Sequence, residues 1–129
     1  MHQVGEVPVL DLGGVLLVSI QVELLDDTVL ALQQDLTERV AETGARGVII
    51  DISSVDIVDS FLARALRDIA AATEVLAART VLVGMRPAVA ITLVELGLTL
   101  PGMTTALSVE RGLELLDTRL DENYPTRQG

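Results

Sequence analysis

The order of apolar and polar positions along this chain predicts an α/β fold. Short runs rich in valine, leucine and isoleucine predict five β-strands, at 7–11, 14–20, 47–52, 79–84 and 103–107. Apolar residues recur at helical spacing elsewhere and predict four helices, at 26–43, 61–78, 87–96 and 108–120. The predicted order is therefore β-β-α-β-α-β-α-β-α.

The way these elements alternate predicts how the sheet is built. Gly13 and Gly14 lie between the first two strands and are typical of a tight hairpin turn, which makes that strand pair antiparallel. The later strands alternate with helices, and this alternation favours a mixed, largely parallel sheet flanked by helices. With 129 residues, the chain fits one domain, which we expect over 1–120, followed by a polar tail at 121–129.

The composition removes most catalytic chemistry. Cysteine is absent, and all nine positive charges are arginines, so thiol, Schiff-base and phosphate-loop lysine chemistry are excluded. The single histidine, His2, lies near the terminus and cannot be held against a nucleophile or a metal. We therefore expect a protein that is not an enzyme and that needs no metal or cofactor.

The net charge and the low aromatic content limit the kinds of partner that we expect. A net charge of −10 with 2% aromatic residues opposes binding to nucleic acid, which requires cations and stacking platforms. The same charge is repelled by an anionic membrane surface, and no apolar stretch is long enough to span a bilayer. A cytoplasmic location is expected. Half of the residues are apolar, which fits either a rich core or an additional surface for a partner or for self-association.

Three carboxylates, Asp51, Asp56 and Asp59, follow the third predicted strand within a few residues. They are compatible with a divalent metal site or with a phospho-accepting receiver site. A receiver also needs an acidic pair and a lysine, whereas Asp11 stands alone and lysine is absent. Turn and helix-cap chemistry is the favoured explanation, because aspartate is common where irregular backbone enters a helix.

Ser60 lies where the second helix is predicted to begin, at the carboxyl end of a buried strand. Function in parallel α/β folds concentrates at this edge of the sheet. Taken alone, Ser60 is expected to be the N-cap of the helix, with its hydroxyl accepting from a free backbone N–H.

Two motifs resemble a known family. The segment D-I-V-D-S-F at 56–61, together with G-M-R-P-A-V-A-I-T-L-V-E-L-G at 84–97, resembles the STAS family of anti-sigma-factor antagonists, and within it the RsbS-type scaffold of the bacterial stressosome. The resemblance covers about 7–117 and implies the STAS fold. It also implies that Ser60 is a phosphoacceptor, modified by a switch serine/threonine kinase and restored by a cognate phosphatase.

The resemblance further implies a partner-switching cycle in a general stress or sigma-factor pathway. The unphosphorylated protein sequesters the kinase, and phosphorylation releases it. Such proteins assemble into oligomers with sensor-bearing STAS paralogues; this chain starts close to its first strand and resembles the sensorless kind. Phe61 and Leu62 stand where the spore-type antagonists have a glycine, which favours the stressosome branch.

Several other residues receive expected roles. Thr92 falls near the second phosphosite of the sensor-bearing relatives, although an ordinary helix-surface threonine explains it equally well. Asp56, Asp59, Phe61 and Arg64 surround Ser60 in sequence and are expected to contact the partner. Core packing is the alternative for Phe61, and a solvated charge is the alternative for Arg64. A small-ligand or nucleotide-binding module of STAS-like fold is the alternative function.

Overall fold

The computed structural model describes residues 7–20, 26–96 and 103–123. Within these ranges, the elements follow the predicted order. They are β1 (Val9–Asp11), β2 (Val15–Ser19), α1 (Asp26–Thr43), β3 (Gly47–Asp51), α2 (Ser60–Val75), β4 (Arg79–Val83), α3 (Pro87–Glu95), β5 (Met103–Ala106) and α4 (Val109–Asn123).

The strands form one five-stranded sheet in the order β1-β2-β3-β4-β5. β1 and β2 are antiparallel and the remaining neighbours are parallel, as the alternation of strands and helices predicts. The hairpin turn places Gly13 at φ 72° and Gly14 at φ 95°, which only glycine adopts without strain. The carboxyl ends of β2, β3, β4 and β5 therefore meet at one edge of the sheet.

The two faces of the sheet carry separate cores, because side chains alternate along each strand. One face packs against α1, α2 and α3, with Ile50, Leu66 and Leu82 among its buried members. The other face packs against α4 through a smaller cluster that includes Ile49, Val81 and Leu116. None of the described helices is long and apolar enough to cross a membrane.

Three element boundaries differ from the prediction by more than one residue, and the first is the start of β1, which lies at Val9 rather than at 7. α2 ends at Val75 rather than at 78, because Ala77 adopts a left-handed conformation with φ 66° and the chain turns there. The N–H groups of Ala78 and Ala77 donate to the carbonyls of Thr73 (2.9 Å) and Glu74 (3.0 Å), which is the bonding of a Schellman motif. α4 runs to Asn123 and so covers the start of the predicted tail.

His2 and the part of the predicted tail beyond 123 lie outside the described residues.

Candidate functional site

The chain between β3 and α2, residues 52–59, forms a loop at the carboxyl edge of the sheet, here called the β3–α2 loop. Ile52, Val55 and Val58 are buried, with 1%, 6% and 3% of their surface exposed, and they fasten the loop to the core. The Ile52 N–H donates to the Val83 carbonyl at 3.0 Å, which joins the start of the loop to β4. The side chains between these anchors face solvent.

Asp59, rather than Ser60, is the N-cap of α2, and the expectation that Ser60 caps the helix is wrong. Asp59 has extended backbone, and its Oδ1 accepts from the N–H of Leu62 at 2.8 Å. Ser60 is already the first helical residue. The carboxylate wins because the residue with non-helical backbone is the one whose side chain can reach back to the third helical N–H.

Ser60 is exposed, and its hydroxyl does not cap α2. Within the part of the chain that the structure describes, this hydroxyl has no hydrogen-bond partner. Arg64 is exposed one helical turn further along α2, whereas Phe61 is half-buried. The structure therefore places Asp59, Ser60, Phe61 and Arg64 at the N-cap and in the first two turns of one helix.

Arg86 is a site residue that reasoning from the sequence missed. It lies between β4 and α3, and its Nη1 forms an ion pair with Asp56 Oδ1 at 2.9 Å. Its Nε donates to the carbonyl of Ser53 at 2.8 Å. The signal was present, since Arg86 belongs to the G-M-R-P segment that carries the family resemblance, but no residue type or spacing connected it with Asp56.

Gly84 forms the floor on which the β3–α2 loop lies. Its φ is +74°, and a Cβ built there falls 2.7 Å from Ser53 Cβ and 3.2 Å from Asp51 Oδ1. Asp51 Oδ1 in turn accepts from the N–H of Ser53 at 2.9 Å. Loop and strand end thus meet at a distance that only glycine permits.

The three carboxylates of the candidate metal cluster have three different duties. Asp51 closes a turn, Asp59 caps α2 and Asp56 pairs with Arg86. These contacts are the turn and cap chemistry favoured by the sequence, supplemented by an ion pair. Across the described ranges, no group of three metal-ligating side chains converges on one point.

Thr92 lies on α3, a different helix from the one that carries Ser60. It is half-buried, and its Oγ1 donates to the carbonyl of Ala88, one turn earlier, at 3.0 Å. Its hydroxyl is therefore engaged in its own helix, unlike that of Ser60.

This fold and site define a protein class. Residues 6–111 match the STAS domain model, and the chain belongs to the STAS family. The α/β fold class and the family resemblance inferred from the two motifs are both confirmed.

Comparison with individual proteins narrows the class further. The structure is similar to that of an RsbS from Moorella thermoacetica with a serine-to-glutamate substitution, at a TM-score of 0.80 and 39% identity, over 88% of this chain and 97% of that one. The structure is also similar to a chain in a structure of the stressosome, at a TM-score of 0.74 and 36% identity, over 88% of this chain and 98% of that one. The resemblance to RsbS-type antagonists is therefore confirmed.

A curated relative is the RsbT co-antagonist protein RsbRA of Bacillus subtilis. It is 29% identical over 83 residues, which is 64% of this chain and 30% of the relative. The chain thus spans less than a third of the length of that protein.

Proposed function

We propose that this protein is a phosphorylation-controlled partner-switching regulator in a stress or sigma-factor pathway. In its unmodified form it sequesters a switch serine/threonine kinase, and phosphorylation of Ser60 releases that kinase. The exposed, unbonded hydroxyl at the first turn of α2 is the single observation that carries the proposal. Similarity to RsbS and RsbRA supports a regulator of this class.

A phosphate at Ser60 changes local electrostatics far more than it changes packing. It adds a charge of about −1.5 to −2, and the helix N-terminus stabilises that charge by about 0.3–1 kcal/mol. The carboxylate of Asp59 opposes it, whereas Asp56 is already paired with Arg86. These opposing effects are similar in size, so the free energy of unfolding should hardly change.

An interface over Ser60 responds more strongly. Leaving a charge buried and unpaired between two proteins costs about 2–5 kcal/mol. At about 1.4 kcal/mol per decade of affinity, this weakens binding roughly 30-fold to a few thousand-fold. The effect of phosphorylation therefore falls on association with the kinase.

The partner surface in this proposal consists of Asp56, Asp59, Phe61 and Arg64 around Ser60. Phe61 is half-buried and presents part of its ring at the surface, which suits an aromatic anchor. Arg64 is exposed and offers a charge one turn from the acceptor. A second modification at Thr92 requires its hydroxyl to leave the carbonyl of Ala88, which favours Ser60 as the main acceptor.

The wider proposal places one STAS domain at 1–120 within an oligomer that contains sensor-bearing STAS paralogues, served by a cognate phosphatase in the cytoplasm. The small-ligand alternative receives no support from the cavity lined by Glu74, Ala77, Ala78 and Arg79. That depression holds about 200 Å³ and lies at the opposite end of α2 from Ser60.

The test is phosphorylation by the switch kinase with Mg-ATP, followed by intact mass and peptide mapping. We expect one phosphate on Ser60, none on Ser60→Ala, and normal modification of Ser54→Ala, which removes another exposed hydroxyl from the same segment. Ser60→Asp should bind the kinase at least tenfold more weakly at an unchanged melting temperature. Phosphate elsewhere, or undiminished kinase binding by the phosphorylated protein, refutes the proposal.

A further inference from the structure

Arg86 occupies an unusual position for an exposed arginine. It is the N-cap residue of α3, immediately before Pro87, and its guanidinium has only donors, so it cannot accept from the free N–H groups of its own helix. The guanidinium instead crosses to the β3–α2 loop, 33 residues away in sequence, and contacts the carbonyl of Ser53 and the carboxylate of Asp56. The planar guanidinium of Arg86 thereby connects two residues of the loop to the start of α3.

The loop is held differently on its two sides. On the side of the core, Ile52, Val55 and Val58 are buried. On the solvent side, Ile57 is 73% exposed and contributes little packing, so polar contacts must limit the motion of this side. Asp51 accepts from the Ser53 N–H where the loop begins, and the Leu62 N–H donates to Asp59 where it ends; between these two ends, the described polar contacts from a distant segment come from Arg86.

Ser60 directly follows the loop, and it lies only four residues after Asp56. Any displacement of the loop therefore changes the surface beside the acceptor hydroxyl. We infer that Arg86 is a positioning residue, which holds the β3–α2 loop in the conformation that a kinase recognises at Ser60. The inference rests on the proposed function and extends it to the regulation of the same site.

The experiment compares Arg86→Gln, Arg86→Lys and Asp56→Asn with a matched control, Arg39→Gln. Arg39 also loses one exposed ion pair on substitution, to Asp35 at 3.3 Å, but it lies on α1 away from the loop. Hydrogen exchange of the amides in 53–59 is measured first, without any kinase. Steady-state phosphorylation of Ser60 is measured second, with kcat and KM separated.

We expect exchange in 53–59 to rise about tenfold in Arg86→Gln, which corresponds to about 1.4 kcal/mol. KM for phosphorylation should rise, because displacement of the loop lowers the fraction of the protein that the kinase can bind, while kcat stays near that of the wild type, because the chemistry belongs to the kinase. Arg86→Lys should be intermediate, since one ammonium cannot reproduce the spaced donors of the guanidinium. Asp56→Asn should show a smaller loss of the same kind, and Arg39→Gln none.

Exchange in Arg86→Gln that matches the wild type overturns the inference, as does faster exchange with an unchanged KM. If Arg86→Gln does not fold, hydrogen exchange of Asp56→Asn without kinase decides instead, because Asp56 is 71% exposed and has no part in the core. Its KM is not used for this decision, since Asp56 also belongs to the proposed partner surface. If the kinase does not modify wild-type Ser60, the proposed function is refuted, and so is the claim that Arg86 prepares the loop for a kinase. The exchange data alone then decide whether Arg86 holds the loop.

Discussion

Replacing Gly84 by alanine tests how tightly the β3–α2 loop is seated on the end of β4. Two costs arise at this position. The backbone has φ +74°, where an L side chain costs about 1–2 kcal/mol. The new Cβ also falls 2.7 Å from Ser53 Cβ and 3.2 Å from Ser53 Cα, so that backbone must move as well as a side chain.

The size of the second cost can be separated from the first by a control. Gly44 has φ +67° and nothing within 4 Å of its Cβ position, so Gly44→Ala measures the conformational cost alone. Overpacking adds about 1–3 kcal/mol. We therefore expect a loss of about 1–2 kcal/mol for Gly44→Ala and about 2–5 kcal/mol for Gly84→Ala. For a domain of this length, the latter lowers the melting temperature by roughly 10 °C.

Urea unfolding of both variants provides the free energies, and hydrogen exchange at Ser53 and Val55 reports whether the loop has moved. Adding Ser53→Gly to Gly84→Ala removes the nearest clashing atom and should recover part of the difference in a double-mutant cycle. If Gly84→Ala loses no more stability than Gly44→Ala, the loop is not seated on Gly84 and the reasoning fails.

Three further predictions concern the two ends of α2, each measured by urea unfolding. The buried hydroxyls of Thr73 and Thr80 lie 2.7 Å apart, and Thr73 also donates to the carbonyl of Ala70, so Thr80 must donate to Thr73. Thr73→Val should therefore lower the free energy of unfolding by about 1–3 kcal/mol, and Thr80→Val should lower it less. The reverse order would contradict this direction of donation. Ala77→Gly should stabilise the protein by about 1 kcal/mol, because it relieves the left-handed φ of 66°; no gain would mean that this strain is absent. Asp59→Ala should lower the free energy of unfolding by about 1 kcal/mol through loss of the cap, whereas Ser60→Ala should change it by no more than about 0.5 kcal/mol. Equal losses in the two variants would contradict Asp59 as the cap.

The fold was largely predictable because its information is local. Apolar runs and helical spacing predict, in order, all nine elements of the described ranges, and the predicted bounds of α1 agree at both ends. The predicted end of α2 lies three residues beyond the observed one, because alanine occupies the left-handed position where a helix end usually shows glycine. No local residue type marked the stop.

The site was less predictable because it depends on contacts between distant segments. The pairing of Arg86 with Asp56 follows from the adjacency of β3 and β4, not from any spacing within one segment. The same holds at the other edge of the sheet, where Arg46 donates to the carbonyl of Gly13 and pairs with Asp117. A resemblance to a family pointed to the right segments, but the tertiary contacts decided which side chains meet.

The identity of the cap changes the physical account of the proposed switch. If Ser60 capped α2, phosphorylation would replace a cap hydrogen bond and would disturb the helix itself. Asp59 makes that bond instead, at 2.8 Å from Asp59 Oδ1 to Leu62 N, and the Ser60 hydroxyl can be modified without breaking it. The phosphate then stands beside an intact cap, where the helix dipole attracts it and the Asp59 carboxylate repels it. The phosphate therefore changes mainly the affinity of the protein that covers Ser60, and it hardly changes the stability of this domain. A partner switch requires this property.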